Sequence, residues 1–224
     1  MNTQKRVMDI PAKLVKELRE ITNAGFSDCR AALVEANGDI PKAVDVLRKR
    51  GQAAAAKKAT REASEGLVGH YIHAGGKIGV IVEVNCESDF VARTEAFQHL
   101  CHDLAMHIAA VDPRYVRRED VTQEMLEHEK EIYTAQARAT GKPEPVIQKI
   151  VQGKMEKFYE ETCLYEQHFI KDETQTIGEM ISQAIAKLGD NIAIRRFCRY
   201  KVGEASGNAA AGAAQSAPAP VAAS

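Results

Sequence analysis

The sequence predicts an α+β protein in which a small three-helix bundle precedes a three-stranded antiparallel sheet covered by helices. Three observations lead to this prediction. Apolar residues recur at helical spacing over residues 9–50. The period then changes to two in residues 66–73 and 78–84, which is typical of strands that bury one face. A further strand, residues 192–202, comes last, and helical patterns lie between it and the first two strands.

The first 52 residues predict three short helices that are separated by small residues. The breaks lie at residues 23–25, at residues 37–38 and at Gly51. Asp39 is placed to cap the third helix. Three helices of this length form a bundle of the ubiquitin-associated type, which is marginally stable alone. The inward-facing apolar residues are Leu14, Val15, Leu18, Ile21, Cys29, Ala32, Leu33, Ala36, Ala43, Val44 and Leu47.

Turn and capping residues define the remaining elements. Residues 52–65 are rich in Ala, Lys and Arg and predict a solvated helical connector. Gly75 and Gly76 predict a hairpin turn between the first two strands. Thr176 and Glu179 form a capping-box pattern that opens a helix. The other helices are expected from about Phe90 to before Asp112, from about Thr122 to Thr140 and from about Glu144 to Glu161.

These elements predict four segments. Residues 1–52 form the bundle, residues 53–65 the connector, and residues 66–203 an α+β core. Residues 204–224 consist mostly of Ala, Gly, Ser and Pro with almost no charge, so we expect a disordered tail.

The composition excludes several classes of function. The 224 residues carry a formal charge of −1, so no overall field attracts nucleic acid or an anionic membrane. The sequence has no apolar stretch of about 18 residues and no apolar signal core near Met1, so we expect a cytoplasmic protein. An odd number of cysteines without a C-x-x-C pair favours buried reduced thiols. They are Cys29, Cys86, Cys101, Cys163 and Cys198.

Residues 85–93 are the most informative segment and read Asn-Cys-Glu-Ser-Asp-Phe-Val-Ala-Arg. This segment resembles the elongation factor Ts family, in which Thr is usual at the position of Ser88. The resemblance extends over residues 9–203, with one core unit where longer members have two. Phe26 and His168 depart from the family pattern, which has Met and Pro there. Further matching runs are residues 18–22, 54–59, 69–73, 106–109, 191–192 and 195–197.

The resemblance implies a guanine-nucleotide exchange factor for elongation factor Tu that performs no covalent chemistry and needs no cofactor or metal. The implied partners are the GDP-bound and nucleotide-free forms of Tu, without direct contact to nucleic acid or membrane. The implied wedge, which intrudes into Tu and displaces Mg²⁺, comprises Ser88, Asp89, Phe90 and Val91. Further Tu contacts are implied at Leu18, Arg19, Phe26 and His73.

A homodimer is also expected. A three-stranded sheet has edges that need cover. The second core half of longer members is missing from this chain, and a second copy could supply it through an isologous interface.

Several of these residues have other interpretations. Phe is usually buried, so Phe90 could be a core residue, and Asp89 before a helix could be its N-cap. His73 beside the hairpin turn is either a partner contact or a solvated turn residue. His99 and His102 share a helix face, but no further ligand completes a metal set with recognised spacing.

Two other classes of function stay open. Residues 24–26 faintly resemble the recognition loop of bundles that bind ubiquitin-like proteins, which would suit an adaptor, although this explains nothing after residue 52. A cytosolic enzyme that uses the histidines is the other alternative, but the sequence has no phosphate-binding glycine loop or nucleophile elbow. The basic residues near positions 48–61 lack interleaved aromatic residues and favour a solvated helix face over a nucleic-acid site.

Overall fold

A three-stranded antiparallel sheet forms the centre of the fold. The computed structural model describes residues 10–22 and 24–204. The second strand lies in the middle of the sheet and pairs with the first and the last strands, which confirms the predicted sheet and the α+β class. The elements in chain order are α1 (Ala12–Thr22), α2 (Phe26–Glu35), α3 (Ile40–Lys58), β1 (Glu65–Ile72), β2 (Ile78–Cys86), α4 (Asp89–Ala92), α5 (Glu95–Val111), α6 (Gln123–Arg138), α7 (Glu144–Thr162), β3 (His168–Phe169), β4 (Asp172–Thr176), α8 (Ile177–Leu188) and β5 (Ile192–Lys201).

The core lies between one face of the sheet and the helices α5 and α8. Val80, Val82 and Val84 are buried at alternate positions of β2, as the period of two predicts. They belong to one apolar cluster with residues of α5 and α8, such as Phe97 and Ile181. The β-branched valines therefore fix which face of the sheet is packed.

The three N-terminal helices share a separate apolar cluster, in which Val15, Leu18 and Leu33 are buried. Asp39 caps α3 by accepting a hydrogen bond from the Lys42 N–H at 3.0 Å, as predicted. The likeness of this bundle to the ubiquitin-associated type stays a prediction.

The third helix does not end at Gly51, so that expectation is wrong. The helix α3 continues to Lys58 and includes part of the predicted connector. Gly51 is buried where α3 lies against α8, and a Cβ atom there would be 3.7 Å from the Ser182 carbonyl oxygen. Packing against α8 therefore keeps α3 helical through this glycine. Arg48 strengthens the contact through an ion pair with Glu179 at 3.2 Å.

The helices α6 and α7 pack on each other as a helical hairpin, and their ends lie within two residues of those that the sequence predicts. The capping box of α8 is also present, because Thr176 and Glu179 exchange hydrogen bonds. The sequence did not predict the two-stranded hairpin of β3 and β4, whose polar residues lack apolar alternation. The predicted disordered tail lies outside the described residues, apart from Glu204.

Candidate partner-binding site

The chain leaves β2 through a tight turn that opens with a one-turn helix. Ser88 is the N-cap of α4, and its side-chain oxygen accepts a hydrogen bond from the Val91 N–H at 3.4 Å. Thr94 caps α5 in the same way by accepting from the Phe97 N–H at 3.3 Å. The expected long helix from about Phe90 is therefore two helices, because the second cap starts a new one.

Phe90 projects from this turn into solvent. The residue is 81% exposed, more than any other exposed large apolar residue in the described part of the chain. The interpretation of Phe90 as a core residue is therefore wrong. Val91 is only 5% exposed and belongs to the central core cluster. Its side chain faces inward and anchors the turn, so of the predicted wedge residues Val91 does not present its side chain to a partner.

Asp89 does not cap the helix, so that alternative is wrong as well. It is the first residue of α4, and its carboxylate pairs with the Arg93 guanidinium one turn further along, at 2.5 Å. Both side chains are largely exposed, so this pair contributes little to stability. The cap lies one residue earlier, at Ser88.

Two carboxylates hold this turn against the loop that precedes β5. Asp190 accepts hydrogen bonds from the Ser88 N–H at 3.0 Å and from the Ser88 hydroxyl at 2.8 Å, both through Oδ2. Glu87 accepts from the Asn191 N–H at 2.5 Å and pairs with the Arg61 guanidinium at 3.5 Å. The Asn191 side chain donates to the Arg61 carbonyl oxygen at 2.8 Å. No spacing in the sequence indicates this function of residues 190–191, although they stand between a helix end and a strand.

The thiols near the turn are poor nucleophiles. Burial raises the pKa of the Cys86 thiol, and the nearby Asp190 carboxylate adds to this rise. Burial raises the pKa of the Cys101 thiol to about 12. All five cysteines lie within the described residues and none forms a disulfide, as expected. A thiolate reaction at this site is therefore disfavoured.

His73 lies far from Phe90. It is exposed at the hairpin turn, where its Nδ1 atom lies 3.2 Å from the Tyr71 hydroxyl. The hairpin turn and the Phe90 turn are at opposite ends of the nine-residue strand β2. Eight steps of about 3.4 Å put roughly 27 Å between them. The two predicted contacts can therefore meet only separate parts of a partner.

The N-terminal bundle offers a second exposed surface. Arg19 is exposed on α1, and Phe26 is 53% exposed at the first position of α2. Ile21, which the sequence places inside, is instead 58% exposed. Leu18 is fully buried in the bundle core, so its side chain does not reach a partner. Its contribution to binding is limited to holding α1 in place.

The outer face of the sheet exposes apolar side chains. Ile81 is 51% exposed in the middle strand, where it is paired with His70 of β1 and Cys198 of β5. Glu83 and Arg196 form an ion pair at 2.7 Å on the same strands. Such an apolar face on a small protein marks a contact surface. The further exposed apolar residues of the three strands are Val68, Ile72 and Tyr200.

Within residues 10–22 and 24–204, no three His, Cys, Asp or Glu side chains cluster as a metal would require. No helix in those same ranges has the length and apolar composition needed to cross a bilayer.

Comparison with known proteins identifies the family. The model of the family described as Elongation factor TS matches residues 43–204. The chain is 65% identical over 197 residues to elongation factor Ts of Koribacter versatilis, which covers 88% of this chain and 90% of that one. It is 58% identical over 200 residues to elongation factor Ts of Solibacter usitatus, with 89% and 94% covered. It is 60% identical over 195 residues to elongation factor Ts of Thermosipho melanesiensis, with 87% and 100% covered.

Proposed function

The chain belongs to the elongation factor Ts family, whose members are nucleotide exchange factors for elongation factor Tu in translation elongation, and we propose that Phe90 is the side chain through which it releases GDP. Exchange of this kind needs binding energy and no covalent chemistry. The factor and GDP each weaken the binding of the other to Tu by the same factor.

The exposure of Phe90 is the observation on which this proposal depends. A large apolar side chain that is 81% exposed has most of its surface free for burial in a partner. Its neighbours Val91 and Ala92 are buried, so the backbone beneath it is held by the core. A rigid turn with an exposed aromatic tip suits insertion between elements of another protein, because little order has to be gained on binding.

In the proposed mechanism, Phe90 enters Tu between helices near its nucleotide site. The elements of Tu that hold Mg²⁺ and the phosphates then shift, and GDP loses its contacts. Asp89 lies beside Phe90 and is exposed, so it reaches the same region of Tu. Rebinding of GTP or GDP restores the Mg²⁺ site and displaces the factor.

The bundle supplies affinity in this proposal. Arg19 and Phe26 present a cation and an aromatic ring on an exposed surface. Both residue types are frequent anchors in protein interfaces. His73 makes a separate contact at the other end of the sheet, either from the same chain or from a second copy.

We propose in addition that the factor is a homodimer and that the outer face of its sheet is the interface. The exposed apolar residues on that face, Ile81 among them, would be buried by an identical face in an isologous contact. Light scattering is expected to give twice the chain mass of 24.5 kDa, and Ile81→Asp should give the monomer. The control is Ile132→Asp, which places the same charge on an exposed residue of α6. A monomer for the unchanged chain would refute the dimer.

A GDP-release assay tests the proposed function. Tu is loaded with a fluorescent GDP analogue, and its release is followed after addition of excess unlabelled GDP. The chain is expected to accelerate release in a saturable manner and to have no effect on an unrelated GTPase. A rate equal to the spontaneous rate at saturating chain would overturn the proposal.

A further inference from the structure

The helix that presents Phe90 is too short to be stable by itself. It has four residues, Asp89–Ala92, and isolated helices of this length do not form in water because nucleation is unfavourable. The turn must therefore take its order from contacts outside the helix. Burial of Val91 and Ala92 is one such contact, and the hydrogen bonds to the loop before β5 are another.

Asp190 acts directly on the cap of this helix. The Ser88 hydroxyl donates to Asp190 Oδ2 at 2.8 Å while the same oxygen accepts the Val91 N–H at 3.4 Å. The Ser88 N–H donates to the same Oδ2 atom at 3.0 Å. Asp190 thus fixes both the backbone of the N-cap and the direction of its hydroxyl. Hydrogen bonds to a charged acceptor are stronger than those between neutral groups.

We propose that Asp190 is a positioning residue for nucleotide exchange, which holds Phe90 in the orientation that enters Tu. The inference rests on the proposed function of Phe90. The two hydrogen bonds from Ser88 to Asp190 are called the clamp below. Asp190 belongs to the loop before β5 and lies 102 residues from Ser88 in the chain, so the clamp connects the wedge to the last strand of the sheet. Glu87 makes a parallel connection to Asn191 in the same loop. Without the clamp, the turn has to be ordered during entry into Tu, which slows the step that expels GDP.

Exchange rates of Asp190 variants test the inference with the full chain and Tu. Asp190→Ala is expected to lower the GDP-release rate at saturating factor by about tenfold, as for the loss of hydrogen bonds to a charged group. The GDP-release rate with Asp190→Asn is expected to stay within about twofold of that with the unchanged chain, because the amide oxygen still accepts both hydrogen bonds. An unchanged rate for Asp190→Ala would overturn the inference.

Asp172 provides a matched control. Its Oδ1 atom accepts hydrogen bonds from the Thr174 N–H at 3.1 Å and from the Thr174 hydroxyl at 2.6 Å, which is the donor pair that Ser88 offers to Asp190. Asp172 lies in β4, in the hairpin that β3 and β4 form apart from the central sheet. Asp172→Ala is expected to leave the exchange rate unchanged, and a loss equal to that of Asp190→Ala would contradict a specific role of the clamp.

The combination with Phe90→Ala separates positioning from a general structural role. If Asp190 acts through Phe90, then Asp190→Ala has no further effect on exchange in a chain that already carries Phe90→Ala. A further loss equal to that in the unchanged chain would overturn positioning through Phe90. If Asp190→Ala does not fold, Ser88→Ala replaces it and Asp172→Ala stays its control. Ser88→Ala should then slow GDP release and Asp172→Ala should not. Equal GDP-release rates for the two variants would overturn the inference.

Amide hydrogen exchange tests the clamp without Tu. In Asp190→Ala the amides of Ser88 and Val91 are expected to lose protection from exchange. The Met125 N–H, which donates to the Thr122 hydroxyl oxygen at 3.3 Å, should keep its protection. If the unchanged chain does not accelerate GDP release, the proposed function fails. Amide hydrogen exchange then tests by itself whether Asp190 orders the turn. Unchanged protection of Ser88 and Val91 would refute the clamp.

Discussion

Phe90→Ala distinguishes a residue that enters a partner from one that supports the fold. Phe90 is 81% exposed in the free chain. Complete burial of a Phe side chain contributes roughly 1.5–3 kcal/mol, so burial of the exposed four-fifths in Tu contributes about 1.2–2.4 kcal/mol. We expect catalysed GDP release to slow by about seven- to fiftyfold, since about 1.4 kcal/mol is a factor of ten. The free chain should lose only about 0.3–0.6 kcal/mol of its free energy of unfolding.

Stopped-flow GDP release and thermal unfolding, measured on the same sample, provide the assay. Phe97→Ala is the comparison, because Phe97 is completely buried in the core and its truncation should cost about 3–5 kcal/mol of stability. Ile132→Ala, at a residue of α6 that is 37% exposed, should leave the GDP-release rate of the folded chain unchanged. Either of two results would refute the proposed role of Phe90. In the first, Phe90→Ala is as destabilised as Phe97→Ala while its folded fraction releases GDP at the normal rate. In the second, Phe90→Ala leaves the rate of GDP release unchanged.

Three further predictions concern the bundle, a buried histidine and the tail. A chain without residues 1–39, which keeps α3 on α8, should bind Tu more weakly but still accelerate GDP release at saturation. No acceleration of GDP release at saturation would contradict the proposal that the bundle supplies only affinity. Burial lowers the pKa of His107 from its ordinary 6.5, so its contribution to stability is present above about pH 6.5 and is lost as pH falls. His107→Gln should therefore flatten the dependence of the urea midpoint on pH between about 7.5 and 5.5, and an unchanged slope would count against this. Removal of residues 205–224 should leave the unfolding midpoint and the exchange rate unchanged, and a clear drop in either would show that the tail matters.

The sequence predicted the features that depend on neighbouring residues. The alternation of Val80, Val82 and Val84 identified the buried face of β2, and Thr176 with Glu179 identified the start of α8. The motif around Phe90 identified the exposed turn through its resemblance to a family, since the residue type alone favoured a buried Phe. These patterns succeed because the alternation of side chains along a strand and the capping of a helix depend on residues close in the chain.

The features that the sequence missed depend on residues far apart in the chain. Asp190 and Ser88 are separated by 102 residues, so no spacing rule connects them. Gly51 has the residue type of a helix end, but packing on α8 overrides that preference. Leu18 and Val91 belong to matching motifs and yet are buried, because a motif records which residues occur together and does not tell which of them face outward.

The affinities of the chain for nucleotide-free Tu and for GDP-bound Tu test the central claim most directly. Exchange by negative coupling requires that the chain bind nucleotide-free Tu more tightly, by the same factor with which it weakens GDP binding. Calorimetric titration of the chain into both forms of Tu gives the first factor. The GDP affinity of Tu, measured with and without the chain, gives the second. We expect the two factors to agree and Phe90→Ala to reduce both. Equal affinity of the chain for the two forms of Tu would contradict exchange by negative coupling.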